Sequence, residues 1–190
     1  MVALLRPALT LFIALSLLTG LAYPLLTTAI AGLLFPAQAT GSLIEREGKT
    51  VGSLLIGQSF SDPKHFWGRP SSTSPMPYNA AASSGSNQGP LNPALAEAIK
   101  GRVAALRAAD PGNTATVPAD LVYSSASGLD PHISIDAALY QAGRISRVRN
   151  LPLARIQQLI AEHSEKSLLG FLGEPRVNVL ALNLALDAMH

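Results

Sequence analysis

Cysteine is absent from this chain of 190 residues, which removes disulfide bonds, thiolate nucleophiles and thiolate metal ligands from its chemistry. Charged residues are scarce at 14%, whereas about a quarter is usual in soluble domains. The 14 basic and 12 acidic side chains nearly balance and are spread along the sequence. No basic stripe is available to bind phosphates, so nucleic acid is not expected as a partner.

Apolar residues, in contrast, make up 48% of the chain, and many of them lie near the N-terminus. No charged side chain occurs between Arg6 and Glu45, and about 20 apolar residues suffice to cross the hydrocarbon core of a bilayer. The pattern predicts a transmembrane anchor over residues 9–31, kinked at Pro24, with nearby threonine hydroxyls able to bond the carbonyl that the proline frees.

The few early positive charges predict the orientation of this anchor. Arg6 and the amino terminus favour a cytoplasmic location for residues 1–8, and therefore an extracytoplasmic domain formed by residues 41–190. A cleaved signal peptide is the alternative, because Ala37-Gln38-Ala39 has the form of a cleavage site and cleavage would release a secreted binding protein. The apolar tract is about twice as long as the hydrophobic region of a signal peptide, which favours a retained anchor.

The extracytoplasmic domain is predicted to have a small α+β fold. Runs rich in β-forming residues predict strands over 51–57 and 121–124. The segment 68–93 is rich in Gly, Pro and Ser, which predicts a long surface loop. Caps and apolar spacing predict four helices: from Pro93 to the turn at Asp110, from Ser134 to about Arg149, from Pro152 to about His163, and from about Val177 to Ala188.

Motifs for catalysis or nucleotide binding are nearly absent. The sequence contains neither a Gly-x4-Gly-Lys-Ser/Thr phosphate loop nor the Asp-Lys-Thr-Gly nucleophile of a phosphorylated pump. The histidines are too scattered to form the metal-binding face of a helix; they are His65, His132, His163 and His190.

Two short patterns leave a membrane-anchored extracytoplasmic serine hydrolase open as an alternative. Ser61 and Lys64 have the Ser-x-x-Lys spacing, in which a helical turn would set the amine beside the hydroxyl. Ser127, Asp130 and His132 supply the three chemical types of a catalytic triad. The simpler interpretation of the second pattern is a turn that leads into the Ser134 helix cap.

Several blocks, in order along the chain, resemble those of a known family. They include Tyr23-Pro24-Leu25, Leu55 to Phe60, Phe66 to Ser71, Ser125 to Ser134 and Gly173 to Leu186. Together they are similar to the C subunits of the Kdp potassium-transporting ATPases, and the resemblance covers essentially the whole chain.

This resemblance implies a non-catalytic accessory subunit of a high-affinity, ATP-driven potassium importer in the cell inner membrane. Its partners would be a channel-like potassium-translocating subunit, a P-type ATPase subunit and the lipid bilayer. ATP and magnesium would lie on the pump subunit, potassium would be the transported ion, and no cofactor-binding residue is assigned to this chain. The family is described as a catalytic chaperone that raises the pump's affinity for ATP, with a ternary complex that includes the nucleotide as one way of doing so. A domain outside the membrane cannot touch cytoplasmic ATP, so either the effect travels by coupling through the pump or the predicted topology is wrong.

The resemblance also gives positions that are candidates for an interface with the other subunits, whereas it implies no catalytic or metal-binding residue here. The candidate positions are Gln58, Phe60, Gly68, Arg69, Pro70, Tyr78, Asn79, Ser127, Gly128, Asp130, Gln141, Arg144, Glu174, Arg176 and Asn178.

Overall fold

The chain divides after Val51 into two compact units in the computed structural model, which describes residues 2–167 and 169–189. Two residues named in the sequence predictions, Met1 of the cytoplasmic segment and His190, lie outside the described residues. The second unit starts at Gly52 and contains all fifteen candidate interface positions. It is built around a hydrophobic core.

The first unit is dominated by one apolar helix. Residues Ala3–Leu34 form a continuous helical stretch of 32 residues, which contains an 18-residue stretch with a mean hydropathy of 2.0. The helix is long and apolar enough to cross a membrane. Its parts are α1 (Val2–Leu17), a π-helical turn (Leu18–Ala22) and α2 (Tyr23–Leu34), followed by the short α3 (Pro36–Ala39). Strand β1 (Leu43–Arg46) pairs with β2 (Lys49–Ser53), which runs into the second unit.

The π-helical turn immediately precedes Pro24, which has no N–H to donate. There the N–H of Tyr23 donates to the carbonyl of Leu18, five residues back, so the helix accommodates the proline by a local widening. The hydroxyls of Thr19 and Thr27 donate to the backbone carbonyls of Leu15 and Tyr23, at 2.8 Å and 2.9 Å. These hydroxyls therefore bond carbonyls other than that of Gly20, the residue four positions before the proline, so the predicted bond to the freed carbonyl is wrong.

The four helices predicted for the second unit are all present, as α4 (Pro93–Ala109), α5 (Ile135–Arg149), α6 (Leu153–Glu162) and α7 (Val179–Asp187). Caps set their beginnings: the side chains of Asn92 and Ser134 accept from the N–H groups of Ala94 and Ala137. Helix α7 begins two residues later than predicted, because Val177 lies in a strand and Asn178 caps the helix.

A three-stranded antiparallel sheet lies against these helices, with strand order β3-β5-β4. Its strands are β3 (His132–Ser134), β4 (Ser164–Glu165) and β5 (Arg176–Asn178). In the register of the sheet, His132 is opposite Asn178 and Ser164 is opposite Val177. Strands of two or three residues are too short to show an alternating pattern, and none of these three was predicted.

The two predicted strands fare differently. The first is shifted, since β2 ends at Ser53 and the next residues form a turn. The second, over 121–124, is wrong: Ala119–Leu121 is a 3-10 helix and the following residues are irregular. Leu121 and Val122 are β-forming in type but serve as buried core residues of this turn, so burial, not strand pairing, explains their apolar character.

The core of the second unit lies between the sheet and helices α5, α6 and α7. Buried apolar side chains from the sheet and from each of these helices meet there. Those that are at most 2% exposed include Ile133, Ile145, Ile156, Ile160, Val177, Leu182 and Leu186.

Phe66 joins this core from an irregular segment: over residues 54–92, all of them described, the only helix or strand is the short 3-10 helix Ala80–Ala82. The side chain of Asn183 accepts from the Phe66 N–H at 2.8 Å and donates to the Phe66 carbonyl at 3.0 Å. Gln141 does the same for Trp67, at 2.8 Å and 3.1 Å. We call these four hydrogen bonds the amide clamp. It satisfies backbone groups that have no strand partner.

Arg144 extends the clamp along the same segment. Its guanidinium donates to the carbonyls of Pro63 and His65 and to the Gln141 side chain, the last at 2.8 Å. It also lies 4.8 Å from the centre of the Trp67 ring, which is a cation–π contact. Burial lowers the pKa of Arg144 to about 10, so the group is still charged at neutral pH.

Asn183→Leu should destabilise the second unit, because it leaves the Phe66 N–H and carbonyl buried without partners. We expect the free energy of unfolding to fall by about 2–5 kcal/mol. Urea unfolding of the full chain in detergent, followed by the fluorescence of Trp67, the single tryptophan, measures this loss. Gln157→Leu, at an exposed position of helix α6, is the control, with an expected change within about 0.5 kcal/mol; equal effects of the two variants would contradict a role for the clamp.

Candidate functional site

Two clefts on the second unit share one residue, Arg69. The aromatic cleft has a volume of about 360 Å³, and its lining includes Phe60, Trp67, Gly68, Arg69, Pro70, Tyr78 and Arg102. The charged cleft has a volume of about 620 Å³, and its lining includes Arg69, Asp120, Asp130, His132, Glu174 and Arg176.

An ion pair between Arg69 and Asp130 connects the two clefts, with 3.0 Å between Arg69 Nη1 and Asp130 Oδ2. The other oxygen of Asp130 accepts from the His132 N–H at 3.0 Å. Burial by itself would raise the pKa of Asp130, but the hydrogen bonds from His132 and the charge of Arg69 together lower it. Asp130 is therefore a fixed negative charge that holds the Arg69 side chain and the start of β3.

Tyr78 fixes the backbone beside this ion pair. Its hydroxyl donates to the Arg69 carbonyl at 2.5 Å, and its N–H donates to Ser71 Oγ at 2.9 Å. Burial, followed by the nearby charge of Asp130, raises the pKa of Tyr78 to about 12. Gly57 packs so closely here that a Cβ would lie 2.3 Å from the Tyr78 ring, so only glycine fits at that position.

The loop that carries Tyr78 is bound to the turn before β3. Ser71 Oγ donates to the Gly128 carbonyl at 2.7 Å, and the Ser84 N–H donates to the Ser127 carbonyl at 3.0 Å. Gly128 adopts a φ of +67° in contact with Thr73, a conformation that favours glycine. These bonds place residues distant in sequence on one surface.

Ten of the predicted interface positions gather at this surface. Phe60, Gly68, Arg69, Pro70 and Tyr78 line the aromatic cleft; Arg69, Asp130, Glu174 and Arg176 line the charged cleft; Ser127 and Gly128 hold the loop.

The other five predicted positions do not line either cleft. Gln141 and Arg144 act beneath the surface, in and beside the amide clamp. Asn178 caps α7 and donates to the Leu54 carbonyl at 2.9 Å, Asn79 caps the short 3-10 helix, and Gln58 lies against Gly52. A contact of any of the fifteen positions with another subunit stays a prediction.

Sequence reasoning missed Arg102 of the aromatic cleft and Asn183 of the buried amide clamp. Arg102 projects from α4 into the aromatic cleft and donates to the Val122 carbonyl at 2.6 Å, a contact that no local pattern indicates. Asn183 did have a signal, since it interrupts an otherwise apolar helix, Leu182-Asn183-Leu184. A polar side chain on a buried helix face indicates a hydrogen-bond partner elsewhere in the fold.

The hydrolase alternatives are not assembled. The Lys64 amine pairs with Asp62 at 3.3 Å instead of activating Ser61. Ser127 Oγ accepts from the Leu129 N–H, Asp130 is bound to Arg69, and no hydrogen bond joins Ser127 to His132 among the described residues. Likewise, over residues 2–167 and 169–189, no three His, Asp or Glu side chains are grouped to hold a metal ion.

The ionisation of Tyr78 tests this geometry. Because its pKa is raised above the ordinary value of about 10, its neutral hydroxyl stabilises the fold fully below pH 10, and this contribution is lost as pH rises towards about 12. The difference in ultraviolet absorbance between the wild-type chain and Tyr78→Phe, titrated with alkali, should show a midpoint at about 12. Asp130→Asn should lower that midpoint, because it removes a negative charge near the hydroxyl. A Tyr78 midpoint at the ordinary value of about 10 would contradict the burial of this hydroxyl against the Arg69 carbonyl.

Comparison with known proteins places the chain among transporter subunits. Residues 5–188 match the family described as "KdpC: K+-transporting ATPase, c chain". A protein of Polaromonas naphthalenivorans named "Potassium-transporting ATPase KdpC subunit" is 69% identical over 98% of this chain and 95% of its own length. Proteins of the same name from Variovorax paradoxus and Methylococcus capsulatus are 68% and 63% identical, over 96% and 97% of this chain and 95% and 97% of their own lengths.

These matches extend from the apolar helix to α7, and so they include both clefts and the amide clamp. The candidate membrane span fits a subunit of a membrane transporter. The chain therefore belongs to the KdpC family and is a membrane-associated subunit of a potassium-transporting ATPase, distinct from the catalytic one.

Proposed function

We propose that the chain is a non-catalytic accessory subunit that assembles with a channel-like potassium-translocating subunit and a P-type ATPase subunit. The observation that carries the proposal is the family match over residues 5–188. In this assembly ATP and magnesium bind the pump subunit, potassium is the transported ion, and this chain binds no cofactor. A role without catalysis is supported by the partners of the candidate groups, since the Lys64 amine pairs with Asp62 and Ser127 Oγ accepts from the Leu129 N–H.

The chain spans the inner membrane once, with its N-terminus in the cytoplasm and its second unit outside. Support comes from the charge pattern, since Arg6 precedes an apolar helix that ends at Leu34. The span offers small residues for packing against a partner helix: Gly20 and Gly32 have no atom within 4 Å of an added Cβ. Small residues let helix backbones approach closely in a bilayer.

The second unit acts as a rigid body that steadies its partners and raises the pump's affinity for ATP. Its site is built on backbone held by the amide clamp and by Tyr78, so little entropy is lost when a partner binds. Stabilising the pump conformation that binds ATP better raises ATP affinity from a distance, without contact with the nucleotide.

Removing this subunit from the purified complex should weaken ATP binding by the pump. We expect the complex, extracted in mild detergent, to contain both partner subunits and to show potassium-stimulated ATP hydrolysis. Without this chain, the apparent affinity for ATP should fall about 5–150-fold, the range of typical coupling free energies. A chain that purifies alone, or an ATPase that is indifferent to it, would overturn the proposal.

The orientation can be tested because the chain has no natural cysteine. Ala108→Cys, on the exposed part of α4, should react with a membrane-impermeant maleimide in intact cells, whereas Ala3→Cys should react only after permeabilisation. The reverse pattern would overturn the orientation. The intact mass of the purified chain separates the alternatives at the N-terminus, since cleavage after Ala39 would remove the anchor.

A further inference from the structure

The charged side chains that line the aromatic cleft are all positive. Two guanidinium groups, of Arg69 and Arg102, line it, and its lining contains no carboxylate. Arg69 is paired with Asp130 through Nη1, and its side chain is still 28% exposed. The guanidinium carries further N–H donors, so it can bind a second acceptor that enters the cleft.

Arg102 is the second unbalanced charge. Its hydrogen bond to the Val122 carbonyl satisfies one donor of the five on a guanidinium. Arg102 is half-buried, and this burial lowers its pKa because it partly desolvates the charged form. A carboxylate brought to this position would compensate the desolvation and gain a charge-assisted hydrogen bond.

The walls of the cleft are aromatic and rigid. Phe60, Trp67 and Tyr78 line it together with Pro70 and Pro77. Trp67 is held by the amide clamp and by Arg144, and Tyr78 is held through its hydroxyl. Such walls fit a flat aromatic or long aliphatic side chain. The volume of about 360 Å³ is at the small end of the range for ligand pockets, about 300–1,000 Å³, so it fits one or two side chains.

Helix α4 forms one side of the cleft. All of α4 is described, and Leu106 is its only buried residue. Next to Leu106 on the cleft lies the exposed Ala105. A small side chain at this rim leaves room for an extended segment to lie along the helix.

We propose that the aromatic cleft binds an extended segment of a partner subunit in which an acidic side chain neighbours an aromatic or long aliphatic one. The apolar side chain lies between Phe60, Trp67 and Tyr78, and the carboxylate accepts from Arg102 and Arg69. The inference rests on the proposed function, since it takes the partner to be another subunit of the transport complex. It names the surface and the chemistry by which the second unit recognises that partner.

Photo-crosslinking in the assembled complex tests the proposal. Ala105→Cys, labelled with a benzophenone maleimide, places the probe at the rim of the cleft, and Ala104→Cys places it on the neighbouring exposed position, which does not line the cleft. The crosslinked partner peptides are then sequenced by mass spectrometry. The probe at Ala105 should capture a segment with Asp or Glu beside an aromatic or long aliphatic residue, at least about fivefold more efficiently than the probe at Ala104.

A charge variant shows whether the carboxylate matters. Arg102→Gln should reduce the Ala105 crosslink at least about tenfold, as expected when one partner of a desolvated ion pair is removed. Arg107→Gln, an exposed arginine on the same helix that does not line the cleft, should leave the crosslink unchanged. Equal yields in both variants would overturn the role of the ion pair.

The remaining outcomes separate this inference from the proposed function. If the complex forms but the Ala105 probe captures only lipid, a segment without an acid, or nothing, the cleft proposal fails and the subunit role stands. If a photoreactive ATP analogue labels the peptides lining the cleft, and Arg102→Gln prevents this labelling, the cleft takes a nucleotide and the proposal fails. If the chain does not copurify with partner subunits, both proposals fail.

Discussion

The second unit depends on one constraint: backbone groups buried outside helices and strands must still find hydrogen-bond partners. Phe66 is fully buried in an irregular segment, so its N–H and carbonyl have no neighbouring strand. Asn183 provides the missing partners of Phe66, and Gln141 provides those of Trp67, each by presenting an amide oxygen and an amide N–H together. The positions of Trp67 and Arg69, and hence the form of both clefts, follow from this solution.

Arg69 then connects the clamped segment to the rest of the site. Its carbonyl accepts from Tyr78 and its guanidinium binds Asp130, which also binds the first residue of β3. The backbone and the side chain of one residue are thus both fixed, and they are fixed by different parts of the chain. A surface built in this way keeps its shape before any partner arrives, which lowers the entropic cost of association.

The sequence is sufficient to predict the elements whose information is local. The membrane span and helices α4, α5 and α6 are set by apolar spacing and by caps such as Asn92 and Ser134. The short strands are set by long-range pairing, as between His132 and Asn178, which no local pattern contains. The site was predicted only where the family resemblance pointed to its residues. Arg102 and Asn183, whose partners lie 20 and 117 residues away, were missed.

The separation of Asn183 from Phe66 by 117 residues has a consequence for biogenesis. Ribosomes add about 5–20 residues per second, so roughly 6–23 s pass between synthesis of Phe66 and synthesis of the amide that binds it. During this interval Phe66 has no docking site, although Gln141, the partner of Trp67, is made earlier, 74 residues after Trp67. The nascent second unit therefore exposes the segment around Phe66 to chaperones or to misassociation until its last helix is made. The core of this unit is completed only after α7 has been synthesised.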